Sequence, residues 1–145
     1  MTERNRPSHA EVDAGVRRAI AAYTQALDDG RTDDVVATFC ADATVEIPGM
    51  GTHVGVDAIR EAYAAWTPRR PQRHLVLNTL VTEWTADEAH ATSDVVFLLK
   101  GKDGWAVQVV GRYAYVLHRD DTKGATDGSD DDQWRFHLRR ASFLD

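Results

Sequence analysis

The sequence predicts an α+β domain, with about three N-terminal helices packed on one curved, mostly antiparallel sheet. Two observations predict it. Apolar residues recur at helical spacing up to Trp66, whereas from Arg73 onward the chain reads as strands joined by short turns. A third bounds the size: 145 residues with 43% hydrophobic content make one domain, 1–145, burying roughly two thirds of its unfolded surface.

Ser8 followed by Glu11 is a capping-box pattern that opens the first helix, leaving 1–8 as a flexible N-terminus. Val12, Val16, Ile20, Tyr23 and Leu27 then form one apolar stripe, and Gly30 is a natural stop. Tyr23 faces inward on that stripe and needs a hydrogen-bond partner. Asp28 and Asp29 fall in the last turn, where the helix dipole disfavours negative charge. Either both carboxylates are solvated or one of them is held there for a reason.

Thr32 is expected to cap a short second helix, Asp33–Cys40, with Val35, Val36 and Phe39 buried. Thr44–Ile47 reads as a strand ended by Pro48-Gly49, and Met50–Gly55 as a loop or hairpin. Asp57–Trp66 is the third helix, with Ile59, Tyr63 and Trp66 on its inner face. Strands are expected at His74–Trp84, Ala89–Lys100, Trp105–Arg119 and Trp134–Phe143. Thr85–Glu88 and Gly101–Gly104 are hairpin-sized turns, and 120–132 is a long acidic loop.

The net charge of -6 comes largely from that loop, where six aspartates face one lysine, Lys123. No basic face remains for nucleic acid, and no apolar run is long enough to span a membrane. Cys40 is the only cysteine and Met1 to Pro7 has no apolar signal core, so a cytoplasmic location is expected. The six histidines show no HExxH or paired Cys/His spacing, so no metal site is expected, and Cys40 reads as a core thiol.

Strict alternation along the strand after Arg73 puts His74, Val76, Asn78 and Leu80 on one face. A histidine and an amide among aliphatics read either as satisfied core groups or as the wall of a pocket. On the last strand the same alternation groups Arg135, His137, Arg139 and Ala141. On the third it groups Val107, Val109, Tyr113, Tyr115 and Leu117 against Val110, Ala114 and Val116, so both faces are expected to be covered. Tyr23, Asp28, His74, Asn78, Arg112 and Arg139 are the isolated polar groups that could serve a site. A carboxylate beside an imidazole makes a general base, and a guanidinium or phenol opposite it steadies a developing anion. Trp66, Val95, Phe97 and Leu99 are candidates for an apolar wall.

The segments Ala22-Tyr23, Ala26-Leu27-Asp28-Asp29-Gly30-Arg31 and Phe39-Cys40-Ala41-Asp42-Ala43-Thr44-Val45 resemble the opening of SnoaL-like, nuclear-transport-factor-2-like domains. Gly55-Val56-Asp57-Ala58-Ile59-Arg60, His74-Leu75-Val76-Leu77-Asn78, Gly111-Arg112-Tyr113 and Trp134-Arg135-Phe136 extend the likeness over nearly the whole chain. Within that superfamily the pattern is nearest to bile acid 7α-dehydratase, hexachlorocyclohexane dehydrochlorinase and scytalone dehydratase. The resemblance implies a cone-shaped roll with a cofactor-free pocket between helices and sheet. It implies Asp28, His74, Tyr23 and Arg139 as catalytic residues, with Asn78, Arg112, Trp66 and Phe97 around the substrate. The implied activity is a dehydratase-like elimination on a small hydrophobic organic molecule. An isomerase or cyclase of a polyketide-like or steroid-like compound is the first alternative, and a non-catalytic ligand-binding or interaction subunit the second. Ile47 stands where ketosteroid isomerases of this fold keep an aspartate, and Leu27 stands where scytalone dehydratase has a tyrosine before its aspartate. A homo-oligomer is expected, a trimer before a dimer.

Overall fold

In a computed structural model, which describes residues 6–120 and 133–144, the chain runs α1 (His9–Asp28), α2 (Thr32–Val36), β1 (Phe39–Ile47), β2 (Gly51–Val54), α3 (Val56–Ala65), β3 (Gln72–Trp84), β4 (Glu88–Gly101), β5 (Gly104–Asp120) and β6 (Gln133–Phe143). Most of the acidic segment and residues 1–5 lie outside the described residues.

Ser8 opens α1 through the full capping box: its hydroxyl accepts from the Glu11 N–H, and the Glu11 carboxylate accepts from the Ser8 N–H. Pro7 just before it is buried. Val12, Val16, Ala19, Ile20, Tyr23 and Ala26 make the buried stripe. At the other end Gly30 takes φ 74°, the Arg31 N–H reaches Ala26 O and the Gly30 N–H reaches Leu27 O. That is a Schellman closure, in which glycine carries the left-handed residue without strain.

α2 is shorter than the spacing suggests. It ends at Val36, and Phe39 and Cys40 already belong to β1. Thr32 is its first helical residue, and Arg31 in the cap position offers no side-chain cap. β2 folds back on β1 as a hairpin, and β1 lies parallel to β6. The six-stranded sheet has the order β2-β1-β6-β5-β4-β3, antiparallel except for the β1–β6 pair. α1 packs across the concave side against β3 and β6, and α3 closes the β1–β2 end. Phe136, Leu117, Val12, Val16, Ile59 and Val45 are fully buried between these layers.

Register shifts interrupt several strand pairs, and the bulges at Asn78, Gln108 and His137 decide which side chains near the cavity look inward. In β3, Leu77 pairs with Asp94 but Leu80 pairs with Thr92, so one extra residue sits between them. Asn78 occupies that bulge at φ 54°. Gln72, His74 and Val76 face the helices before it, and Thr79 and Val81 after it. In β5, Gln108 is the extra residue between Val109 opposite Phe97 and Val107 opposite Leu98. In β6, His137 is extra between Phe136 opposite Leu117 and Leu138 opposite Val116.

These bulges correct the alternation. Leu80 and Val107 turn outward, at 61% and 56% exposure. Arg139 and Ala141 turn inward, away from Arg135 and His137, and both are buried. Among the described residues nothing covers the outer sheet face: Leu75, Leu77, Val107 and Val110 all remain substantially exposed.

Candidate active site

A cavity of about 280 Å³ opens between α1, α3 and the concave face of the sheet. Its walls are mainly apolar, with Trp66, Phe97, Val95 and Val109 among them, and six polar side chains line it: Tyr23, Tyr63, Gln72, His74, Tyr113 and Arg139. Ile47 is part of the same wall, so the position next to Pro48 presents a methyl surface rather than an acid.

His74 is fixed from behind. Asp28 Oδ1 lies 2.6 Å from His74 Nδ1, while Oδ2 accepts the His74 backbone N–H at 2.8 Å. Gln72 Nε2 donates to the same carboxylate at 3.1 Å. A helix C-terminus disfavours a carboxylate by a few tenths of a kcal/mol or more, and three donors from β3 offset that cost for Asp28. A carboxylate only accepts, so the neutral imidazole carries its proton on Nδ1 and keeps Nε2 as a free base. Phe97 stacks on the ring at 4.4 Å between centroids and restricts its rotation. Asp28 itself is not part of the wall; it stands behind His74 with its side chain 5% exposed.

Arg139 occupies the opposite character of site. It is 3% exposed, with its guanidinium 4.1 Å from the Tyr23 ring centroid and 3.9 Å from that of Tyr113. Desolvated cation–π contacts of this kind contribute about 2 kcal/mol each, against a burial cost of several kcal/mol for the charge. Its Nε has no hydrogen-bond partner among the described residues.

The Tyr23 hydroxyl meets the Tyr63 hydroxyl at 2.5 Å. Burial pushes the Tyr23 phenol well above its ordinary range, and the charge of Arg139 offsets only part of that. Tyr63 is raised for the same leading reason. Both therefore stay protonated, and one hydroxyl can serve as the donor while the other accepts.

Tyr23, His74, Arg139, Trp66 and Phe97 thus meet at one cavity with Asp28 behind them. Asn78 and Arg112 do not. Both bind Asp94 on the outer face of the sheet, Asn78 Nδ2 to Oδ2 at 2.8 Å and Arg112 Nε to Oδ1 at 2.9 Å. The bulge at Asn78 reverses the side-chain direction in β3, and Arg112 alternates outward beside inward Tyr113 on β5, so neither residue reaches the cavity. Leu99 is likewise not in the wall. Gln72, Tyr63 and Tyr113 join the site unannounced by the sequence reading. Tyr63 was legible as an inward residue of α3, and Gln72 lies one pleat before His74 on the same face.

A second polar group lies apart from the cavity. Cys40, His118 and His137 bring ligand-type atoms within 4.8 Å of one another, with the two imidazoles stacked at 4.1 Å. Cys40 is half-buried there, a thiol packed against the edge of the hydrophobic core. None of the three lines the cavity.

A family model described as a SnoaL-like domain matches residues 8–140 of the chain. No curated protein sequence matches it. Among solved structures, an Asp-to-Asn variant of Rv3472, a protein of unknown function from Mycobacterium tuberculosis, is similar at a TM-score of 0.79 and 22% identity, covering 92% of this chain and 72% of that one. A candidate scytalone dehydratase from Novosphingobium aromaticivorans is similar at 0.76 and 19% identity, covering 92% and 85%. The β subunit of a candidate aromatic-ring-hydroxylating dioxygenase from the same organism is similar at 0.75 and 18%, covering 95% and 93%. At these identities the structural likeness speaks for the fold.

Proposed function

The chain belongs to the SnoaL-like domain family, and from that premise we propose that it is a cofactor-independent lyase acting by β-elimination on a small, largely hydrophobic organic molecule. The observation that carries this reading is the 2.6 Å contact between Asp28 and His74 at the wall of an apolar cavity. A binding subunit has no need of an imidazole held by a carboxylate at the wall of its pocket.

His74 Nε2 takes a proton from carbon. The C–H pair becomes the new C=C bond, and the C–O or C–halogen bond on the neighbouring carbon breaks with its electrons on the leaving group. A departing hydroxide collects a proton and leaves as water; a halide leaves as the anion. Asp28 holds the imidazole in the right tautomer and steadies the imidazolium. The Tyr23–Tyr63 pair and Arg139 stabilise negative charge that builds on the substrate.

Screening small apolar alcohols and halides for elimination tests the proposal, followed by His74→Ala on any substrate found. General-base loss of this kind costs about 10²–10⁴-fold in turnover. Full turnover by a folded His74→Ala protein would overturn the mechanism. A product of unchanged mass would assign the same base to an isomerase or cyclase instead.

A further inference from the structure

The geometry points to a substrate that is already an anion when it binds: a single oxyanion group, carboxylate or acidic phenol or enol, on an apolar body of one or two rings. This rests on the elimination reading of the same cavity and adds the charge state of the molecule it takes.

The argument starts from a missing counter-ion. Arg139 is buried and always protonated, yet among the described residues it pairs with no carboxylate; the titratable groups around it are the phenols of Tyr23, Tyr113, Tyr63 and Tyr115. The rings of Tyr23 and Tyr113 both pack against the guanidinium, with centroids 4.1 and 3.9 Å from its central carbon. Tyr63 shares a hydrogen bond with the guanidinium, which leaves the positive charge without an anionic partner among the described residues, and the buried Nε finds no acceptor there. A guanidinium in a cavity wall binds a carboxylate or phenolate through charge-assisted hydrogen bonds. A neutral ligand would leave the charge uncompensated in a mainly apolar wall. The volume of about 280 Å³ limits the rest of the molecule to a compact body, and Trp66 and Phe97 offer aromatic surfaces for it.

The test is a matched pair of probes, naphthalene-2-carboxylate and naphthalene-2-carboxamide, titrated by calorimetry into the wild-type protein in buffer free of chloride and carboxylates. The carboxylate is expected to bind about tenfold tighter or better. In Arg139→Gln the ratio is expected to fall towards one, with Arg139→Lys between. The wild-type ratio decides the matter even if Arg139→Gln does not fold. Amide binding as tight as acid binding overturns the anion assignment and leaves the elimination reading standing. If neither probe moves the NMR signals of His74 and Trp66, the cavity holds no ring-sized ligand and both readings fall. An acid that binds without the ratio responding to a folded Arg139→Gln would place the anion elsewhere and overturn the assignment. For the source of the oxyanion, 2-naphthol carrying electron-withdrawing groups replaces the acid: preference for it over naphthalene-2-carboxylate assigns a phenolate or enolate, and the reverse assigns a carboxylate.

Discussion

Asp28 holds His74 twice, by ring and by backbone: Oδ1 lies 2.6 Å from Nδ1 and Oδ2 takes the main-chain N–H at 2.8 Å. The double attachment ties the end of α1 to the start of β3, so ring orientation and strand position are set by one carboxylate. Its consequence is a single tautomer. In nitrogen-resolved NMR of the neutral ring, wild-type His74 is expected to show the proton on Nδ1. Asp28→Asn, whose amide can turn a donor to the ring, is expected to populate the Nε2–H form and to lower turnover with it. An unchanged tautomer in a folded Asp28→Asn protein would mean that the carboxylate does not orient the base.

Asn78 provides a control on where the site ends. Its backbone is in the left-handed region at φ 54°, and its side chain is spent on Asp94 on the outer face. Asn78→Ala is expected to cost about 1–2 kcal/mol in thermal or denaturant unfolding, because alanine resists that conformation. Asn78→Gly restores the backbone freedom and should recover part of the loss. Neither variant is expected to change ligand binding by more than about twofold, a change of under 0.5 kcal/mol. A large effect on binding alone would return Asn78 to the cavity.

The same bulges explain what could be read in advance. Asp28, His74 and Tyr23 were legible because each sits in a regular stretch, where helical and strand periods give direction correctly. Asn78 was misdirected because the period of 2 assumes an unbroken pleat, and one extra residue in β3 reverses the side chains from there to the next register shift after Val81. The reversal at His137 acted in the other sense: plain alternation set Arg139 beside Arg135 and His137, whereas the bulge delivers it to the cavity. Glycine and proline punctuate a sequence; a bulge built from Gln108 or His137 carries no such mark. The early end of α2 has a similar cause, since Phe39 is equally apolar in a helix or a strand and its pairing with Phe136 decides.

The buried phenols make the site sensitive to alkali. Tyr115 is pushed up to about 12 by burial, and Tyr23 and Tyr63 are also raised. In the unfolded chain each would ionise near 10. A raised folded value means that the native state holds its proton longer. Stability is therefore constant below about pH 10 from these groups and falls as pH rises above it, levelling for Tyr115 only beyond about 12. An absorbance titration is expected to show phenolate from these three tyrosines appearing together with unfolding, not before it. Reversible ionisation of all four tyrosines near pH 10 in the folded protein would contradict the burial.

Gly111 sits where β5 crosses the end of β6. A Cβ placed there would stand 2.5 Å from the Ser142 carbonyl oxygen and 3.0 Å from Phe143 Cδ1. The first neighbour is backbone, so the ladder must move to make room. Gly111→Ala is expected to destabilise by about 1–3 kcal/mol, the usual range for overpacking, and to loosen the Phe143 edge of the cavity. Equal melting temperatures for the two proteins would show that β6 yields there without cost.

The outer face of the sheet carries apolar side chains that no other described residue covers. Leu75 on β3 and Val110 on β5 both flank Val96 on β4, and Val107 pairs with Leu98 one pleat further on, giving a contiguous apolar row across three strands. Exposed apolar area of this kind marks an association surface more often than a solvated one. The expected state is a homo-oligomer, a trimer before a dimer, with these residues in its interface. Light scattering on the wild type is then expected to give a multiple of 16.1 kDa. Val107→Glu combined with Val110→Glu puts charge in the middle of the row on a strand whose inner face is untouched, so the fold should survive and the mass should drop towards the monomer. A wild-type mass of one chain would refute the association outright, and an oligomer unmoved by the double substitution would place its interface elsewhere.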